Sequence, residues 1–305
     1  MTTQFAEARG SLQQQPRNAR GSSTVRRRSV LRHGGLVVGL ALLAVITLAA
    51  LAAPLLAPHD PYAQDLSRRL IPPIWQSEGT WSHVLGTDKL GRDYLSRLLF
   101  GARISLLIGI SSAALSGLIG TTLGVVAGFF GGRVDAVASY IIMTRLAMPV
   151  VLVALAVAAL VGGSLQVVVL VIGLLLWDRF AVVARAATQQ VRGREFVSAA
   201  QASGIPTWRI ILQEVLPNIV NPLIVVATLE MAHAILLEAA FSFLGLGVQP
   251  PLPSWGLMIA EGKQYMLFSP WVIAIPGAAL LTLVLAINLV GDGLRDWITP
   301  ALRDR

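Results

Sequence analysis

The sequence predicts an all-α membrane protein with six transmembrane helices. Three observations carry that expectation. Hydrophobic residues make up 55% of the 305 and charged residues only 13%, more apolar side chain than a soluble fold of this length can bury. The apolar residues fall into runs close to the roughly 20 residues that a membrane-crossing helix needs. Polar segments bearing glycine and proline part the runs, as helix-ending segments do. The same composition excludes a disordered chain. With no cysteine, disulfides, thiolate metal sites and cysteine nucleophiles are excluded as well.

The chain opens on a basic stretch, residues 1–33, expected to be a disordered cytoplasmic tail. It holds Arg9, Arg17, Arg20, Arg26, Arg27, Arg28 and Arg32 against Glu7 alone, and so carries most of the net charge of +8. A basic tail before an apolar run is the positive-inside signature. Phe5 is its one aromatic residue, so it lacks the interleaved stacking side chains of a nucleic-acid binder. The first span is assigned to 34–57, its apolar run Gly35–Ala57 stopping at Pro58. That run exceeds the h-region of about 7–15 residues in a cleaved signal, so it reads as an anchored helix. Residues 58–102 carry Pro58, Pro61, Pro72, Pro73 and charges of both signs, and read as an extracytoplasmic loop.

Five more spans fill a core assigned to 103–291. The first of them is Ile104–Phe130, where Gly120, Gly124 and Gly128 lie on one face and would admit another helix closely. Then come runs at about Tyr140–Val161 and Leu165–Ala187, a polar segment, Leu216–Leu244, a second proline-bearing loop at about 245–269, and Trp271–Val290. Residues 292–305 form a short tail. Six spans put both termini on one side, and the basic tail makes that side cytoplasmic.

Several chemistries are missing. There is no GxxxxGK[ST] phosphate loop, no HExxH and no GxSxG, and lysine occurs only at Lys89 and Lys263. The four histidines, His33, His59, His83 and His233, are scattered, which is poor material for a zinc site. No catalytic residue, cofactor or metal is expected. If the chain moves a solute, the energy comes from an ion gradient or from a partner.

The polar segment 190–217 is the most informative. It reads as two short amphipathic helices broken at Gly204-Ile205-Pro206. Phe196, Ala199 and Ala200 stand at i, i+3, i+4 spacing on one face, where small residues beside an aromatic one suit a groove of another protein. A helix lying on the bilayer, or packed under the chain's own spans, fits the same pattern.

At these residues the sequence resembles the inner-membrane permeases of bacterial ABC importers, in the dipeptide/oligopeptide/nickel group. Their cytoplasmic loop carries an EAA–three residues–Gly pattern with Leu-Pro further on. Here Ser198-Ala199-Ala200 takes the EAA place, followed by Gly204 and Leu216-Pro217, with Glu195 one turn earlier. Three more matches extend the resemblance over nearly all of the chain beyond the tail. They are Leu85-Gly-Thr-Asp-Lys-Leu-Gly-Arg-Asp-Tyr-Leu-Ser-Arg97, Ser242-Phe-Leu-Gly-Leu-Gly-Val-Gln-Pro-Pro251 with Pro253-Ser-Trp-Gly256, and Gly291-Asp-Gly-Leu-Arg-Asp296.

The resemblance implies the type I importer permease fold in the bacterial cytoplasmic membrane. It implies a homologous second permease, two ABC ATPase subunits, an extracytoplasmic solute-binding protein and surrounding lipid as partners. It gives Arg194, Glu195, Phe196, Ser198, Ala199, Ala200 and Gly204 to ATPase coupling, and di- or oligopeptides as cargo, with nickel or another small solute as the alternative. A gradient-driven secondary transporter is the remaining reading. Family members often carry an arginine, and an acid three residues later, in the third span. Here Tyr140 and Met143 stand in those places, and nearby Arg145 is either a substitute or a boundary anchor.

Glu230, His233 and Glu238 interrupt the fifth span. An acid at mid-bilayer costs about 2.5–3.5 kcal/mol unless paired, protonated or wet. At helical spacing all three can face one cavity or one neighbouring helix. They are candidates for the translocation path, drawing a cationic group. The competing reading is a buried Glu230–His233 pair, with Glu238 bracing the turn that follows. Asp178, Arg179 and Arg185, in the fourth span, read as a structural ion pair or as snorkelling side chains.

Overall fold

The computed structural model describes residues 22–298. Among them the regular structure is helical, apart from one isolated bridge between Thr87 and Asp93. Helix α1 (Ser22–Leu51) begins inside the stretch assigned to the tail, and the short α2 (Ala53–Leu56) follows it. Residues 1–21 and 299–305 of the two assigned tails lie outside the described residues.

The second span differs from expectation. Helix α3 (Tyr94–Phe130) starts well before residue 103, at the N-cap Asp93, whose side chain accepts from the Ser96 N–H. Hydropathy missed this first stretch because its polar residues are buried by partners: Ser96 and Arg97 are both inside.

The third span is two helices, α4 (Gly132–Ala147) and α5 (Val150–Val161), bent by 84°. Pro149 accounts for the break, because it has no N–H to donate and drives Met148 out of the helical region, to φ −86° and ψ 129°. Among the described residues five helices are thus long and apolar enough to cross a membrane, and the bent pair makes up to six.

The fourth span is α6 (Leu165–Leu175) running into α7 (Trp177–Arg192). Next come α8 (Glu195–Ala202) and α9 (Thr207–Ile210). A π turn at Ile211–Val215 leads into α10 (Leu216–Phe243). Pro217 lacks the N–H that the Gln213 carbonyl would accept, which favours the wider turn there. The second loop holds α11 (Trp255–Gly262), capped by Ser254, and α12 (Trp271–Ile298) closes the described chain.

Helices α3 and α10 run through the three apolar clusters. Leu106, Ala232, Ile235, Trp255, Leu283 and Ile287 join α3, α10, α11 and α12. Ile108, Ile172, Ala234 and Phe241 join α3, α6 and α10. Phe129, Ala184, Val197, Ile210 and Ile219 close the end that carries α8 and α9.

The glycine face of α3 meets α7 backbone to backbone. A Cβ on Gly120 would lie 2.2 Å from the Trp177 carbonyl oxygen, one on Gly124 2.5 Å from that of Ala181, and one on Gly128 2.6 Å from that of Arg185.

The segments 58–102 and 245–269 are tied by a buried ionic network. Arg92 Nε donates to Asp88 Oδ2 at 2.6 Å, and its Nη2 reaches both oxygens of Glu261 at 3.2 Å. Arg97 donates to Asp88 and, at 2.8 Å, to Glu261. Glu261 sits on α11, so the network locks the 58–102 segment to the 245–269 loop. Trp255 adds to the lock by donating its indole N–H to the Leu98 carbonyl. Burial raises the Asp88 carboxyl, and the Arg97 and Arg92 guanidiniums outweigh it, so its pKa stands below the usual 3.8.

Two outcomes follow from this packing. Gly124→Ala gains about 1 kcal/mol of helix propensity but costs about 1–3 kcal/mol of overpacking. It is expected to lower the thermal midpoint of the purified protein, whereas Gly277→Ala, whose Cβ meets nothing within 4 Å, is expected to leave the midpoint equal or higher. The Asp88 contribution stands in full above pH 3.8, declines as pH falls through that value, and is gone below the lower folded-state value. Thermal melts at stepped pH are expected to show that loss, and Asp88→Asn, less stable at neutral pH, is expected to lack it.

Candidate functional site

The fold gives the intramembrane acid an unanticipated partner. Arg179, in the first turn of α7, extends Nη1 to Glu230 Oε1 on α10 at 3.0 Å and to His233 Nδ1 at 3.0 Å. Glu230 is 1% exposed, while the side chains of Arg179 and His233 are 55% and 44% exposed. An arginine has donors only, so His233 Nδ1 accepts and the ring proton sits on Nε2. The His233–Glu230 separation of 3.5 Å is too long for a good hydrogen bond. Arginine is thus the centre of the group, and the buried acid holds it.

That arrangement changes the chemistry the site can offer. The Glu230 charge is neutralised from within the chain. Only Nη1 of the Arg179 guanidinium is engaged among the described residues, so Nε and Nη2 remain as donors on the open side. A planar pair of N–H donors fits a carboxylate. The sequence reading singled out Glu230 and His233 as attracting a cation and treated Arg179 as structural. The 51-residue separation of Arg179 from Glu230 carried no local signal of their pairing.

Glu238 is not part of this group. It is fully buried and accepts from Ser242 Oγ at 2.7 Å and Ser254 Oγ at 2.8 Å. Ser254 caps α11, and a Cβ on Gly256 would lie 2.8 Å from Glu238 Oε2. The three candidates for the path are therefore split between two places, and Glu238 takes the bracing position that was its competing reading. Arg185 pairs with Asp135 on α4, bidentately, and Asp178 accepts from the Arg179 backbone N–H. Arg145 is buried and donates to the Leu175 carbonyl, where α6 breaks before α7. Tyr140 and Met143 are exposed on the outside of α4.

The segment after α7 is the other candidate surface. α8 and α9 are separated at Gly204, whose φ is +73°. Gly204 N–H donates to the Gln201 carbonyl and Ile205 N–H to that of Ala200, a Schellman closure that needs a left-handed residue at this position. Val197 and Ala200 turn inward onto the α3–α7–α10 core. Arg194, Glu195, Phe196, Ser198, Ala199 and Gly204 are exposed. Ala200 thus leaves the face it was expected to share with Phe196 and Ala199. Ile205, Trp208 and Leu212 join the exposed side, at 39%, 59% and 54% exposure. These the sequence reading missed, although a tryptophan in a short amphipathic segment was a visible signal.

Two of the four histidines, expected to be scattered, come together between α2 and α3. His83 Nδ1 lies 2.9 Å and His59 Nδ1 3.7 Å from Asp93 Oδ1.

Comparisons with known proteins agree with this architecture. A family described as the binding-protein-dependent transport system inner membrane component matches residues 120–304. One described as the N-terminal TM domain of oligopeptide transport permease C matches residues 26–73. The Di/tripeptide transport system permease protein DppC of Pseudomonas aeruginosa is 43% identical over 276 residues, 90% of this chain and 91% of that one. The Dipeptide transport system permease protein DppC of Escherichia coli K12 is 42% identical over 272 residues, 89% and 91% of the two chains. A solved structure of the MetNI methionine ABC transporter in an inward-facing conformation shares the fold. Its TM-score is 0.54 at 18% identity, covering 67% of this chain and 96% of that one. The chain therefore belongs to the binding-protein-dependent transport system inner membrane components, the permease subunits of ABC importers, whose ATPase is a separate subunit.

Proposed function

We propose that this permease carries di- or tripeptides delivered by an extracytoplasmic binding protein, and that α8–α9 couples it to two ATPase subunits. The relatives at 42–43% identity, named for dipeptide and di/tripeptide transport, support the cargo. The observation that carries it within this chain is the Arg179–Glu230–His233 group. A peptide always brings a carboxylate, and Arg179 offers free N–H donors to one at membrane depth while Glu230 holds it in place. Glu238 is left out of the path and braces α10 to α11.

A homologous second permease faces the open side of Arg179 and His233, so that cargo passes between the two chains. Both termini lie in the cytoplasm, as the arginine-rich start supports. The ATPase surface is built from Arg194, Glu195, Phe196, Ser198, Ala199 and Gly204, with Ile205 and Trp208 added. Ala200 supports it from beneath. The binding protein docks on the outer segments 58–102 and 245–269, where Trp75, Trp81 and Phe268 stand exposed.

Reconstitution tests this reading. Peptide uptake is expected to require the binding protein, the ATPase subunits and ATP. Uptake in the absence of ATP and ATPase would replace it with a gradient-driven carrier. Ala199→Arg adds a long charged side chain on the exposed side of α8 and is expected to remove most ATPase from the purified complex while the permease stays folded.

The path role has its own test. Arg179→Ala strands a buried carboxylate and is expected to cost about 1–3 kcal/mol of stability. Glu230→Gln costs less, since the half-open guanidinium stays hydrated. The double variant recovers part of the stability. Uptake of free-carboxylate peptides is expected to stay low in that double variant. Uptake that recovers with stability would reduce the group to a structural pair.

A further inference from the structure

We propose that His59, His83 and Asp93 form a binding site for a divalent transition-metal cation of the zinc type on the outer segment. The three residues come from separate places. His59 follows α2, His83 sits in the turns before the bridge at Thr87, and Asp93 is the N-cap of α3. Two imidazoles and one carboxylate are a donor set suited to such ions, and they leave a further position for water.

The spacing fits. With metal–ligand bonds of about 2.0–2.2 Å, two ligand atoms on a tetrahedral ion stand about 3.4 Å apart. His83 Nδ1 lies 2.9 Å and His59 Nδ1 3.7 Å from Asp93 Oδ1, one inside and one outside that value. Ligand atoms of all three residues lie within 4.8 Å of one another. The two rings sit side by side, centroids 4.8 Å apart and tilted by 33°. Shifts of about half an ångström set the two histidine–carboxylate spacings, and the widest spacing in the set, no more than 4.8 Å, closes by about 1.4 Å at most.

The carboxylate is already divided for this purpose. Oδ2 takes the Ser96 N–H at 2.8 Å and the Ser96 hydroxyl at 2.7 Å. Those bonds fix its orientation and leave Oδ1 toward the imidazoles, which is the outer-shell support that metal-ligating carboxylates have. The same serine oxygen accepts the His59 backbone N–H at 3.2 Å, holding that residue over the site. Asp93 and His83 are buried, while the side chain of His59 is 41% exposed, so the site is walled on one side and open to solvent on the other. A bound cation clips the chain after α2 to the start of α3, next to the Asp88–Arg92–Arg97–Glu261 network. It would set the rigidity of the segment on which the binding protein is proposed to dock.

The competing account is a hydrogen-bonded His83–Asp93 pair with His59 stacked above it, and it predicts no bound ion. The test uses the full transporter complex, purified through a tag without histidine, stripped with EDTA and titrated with zinc alone. Wild-type complex is expected to retain one more zinc ion per permease chain after desalting than the His59→Gln complex. Its thermal midpoint is expected to rise with zinc and not with magnesium. Cobalt in place of zinc is expected to give a visible absorption band that His59→Gln abolishes. His59 is the residue to replace because its side chain is half-open and its loss leaves the Asp93 cap intact. His83→Gln is expected to lose the ion as well. Equal zinc content in wild type and His59→Gln, or no zinc in the wild-type complex after desalting, overturns the site.

Discussion

The rest of the molecule depends on how closely α3 and α7 approach. At Gly120, Gly124 and Gly128 there is no room for a side-chain carbon between one helix and the carbonyls of the other. In a bilayer, lipid tails compete with apolar side chains on equal terms, so helices associate through close packing and polar contacts rather than through the hydrophobic effect. Removing side chains from one face of α3 lets dispersion act between two backbones over several turns. This contact places Arg179 near one end of α7 and the α8 turn just beyond the other. It also holds α4 in reach, so that Asp135 meets Arg185.

Much of this was legible in the sequence, and the limits have a common physical form. The apolar runs announce their helices because hydropathy needs only local residues. The close-packing face of α3 is readable because glycine every fourth residue has few other uses in a helix. The Gly204 turn is readable too, since a left-handed residue followed by proline ends one helix and starts another. What escaped is what depends on distant partners. Residues 94–102 look like loop because Arg97 and Ser96 are polar, yet Arg97 is inside, its two Nη groups paired with Asp88 and with a glutamate 164 residues away. Pro149 is visible as a breaker, but the 84° bend it produces is a matter of tertiary packing. His59 and His83 are far apart in sequence and meet only because α3 begins early, at Asp93.

The intramembrane charges follow the same logic. A lone Glu230 in a span is costly, which made it a candidate for contact with a cation. The fold answers the cost with Arg179, and the pair reverses the sign of what is left to offer. The buried member is the acid and the half-open member is the base. Sequence identified the helix position that needed a partner and could not say which side of the pair would face outward. Glu238 shows the other solution to the same cost. It is enclosed by Ser242 and Ser254 and serves as an acceptor that binds α10 to the cap of α11.

These two solutions bear on how movement could pass through the subunit. From Arg179 to Arg192 along α7 is about 20 Å at 1.5 Å per residue. The helix is packed onto α3 by the glycine face from Trp177 to Arg185, and only Gly193 and Arg194 separate it from α8. A displacement at the proposed ATPase surface therefore reaches Arg179 through a continuous helix rather than through a chain of side-chain rearrangements. At the start of α3, the Asp88–Arg92–Arg97–Glu261 network fixes α3 to α11, and Glu238 fixes α11 to α10, which carries Glu230. Arg179 and Glu230 thus sit on two helices, α7 and α10, that both pack against α3. A shift of α7 against α10 changes the geometry of their ion pair, so the pair responds to displacement at the α8 turn, which continues α7, and at the α11 contact, which holds α10.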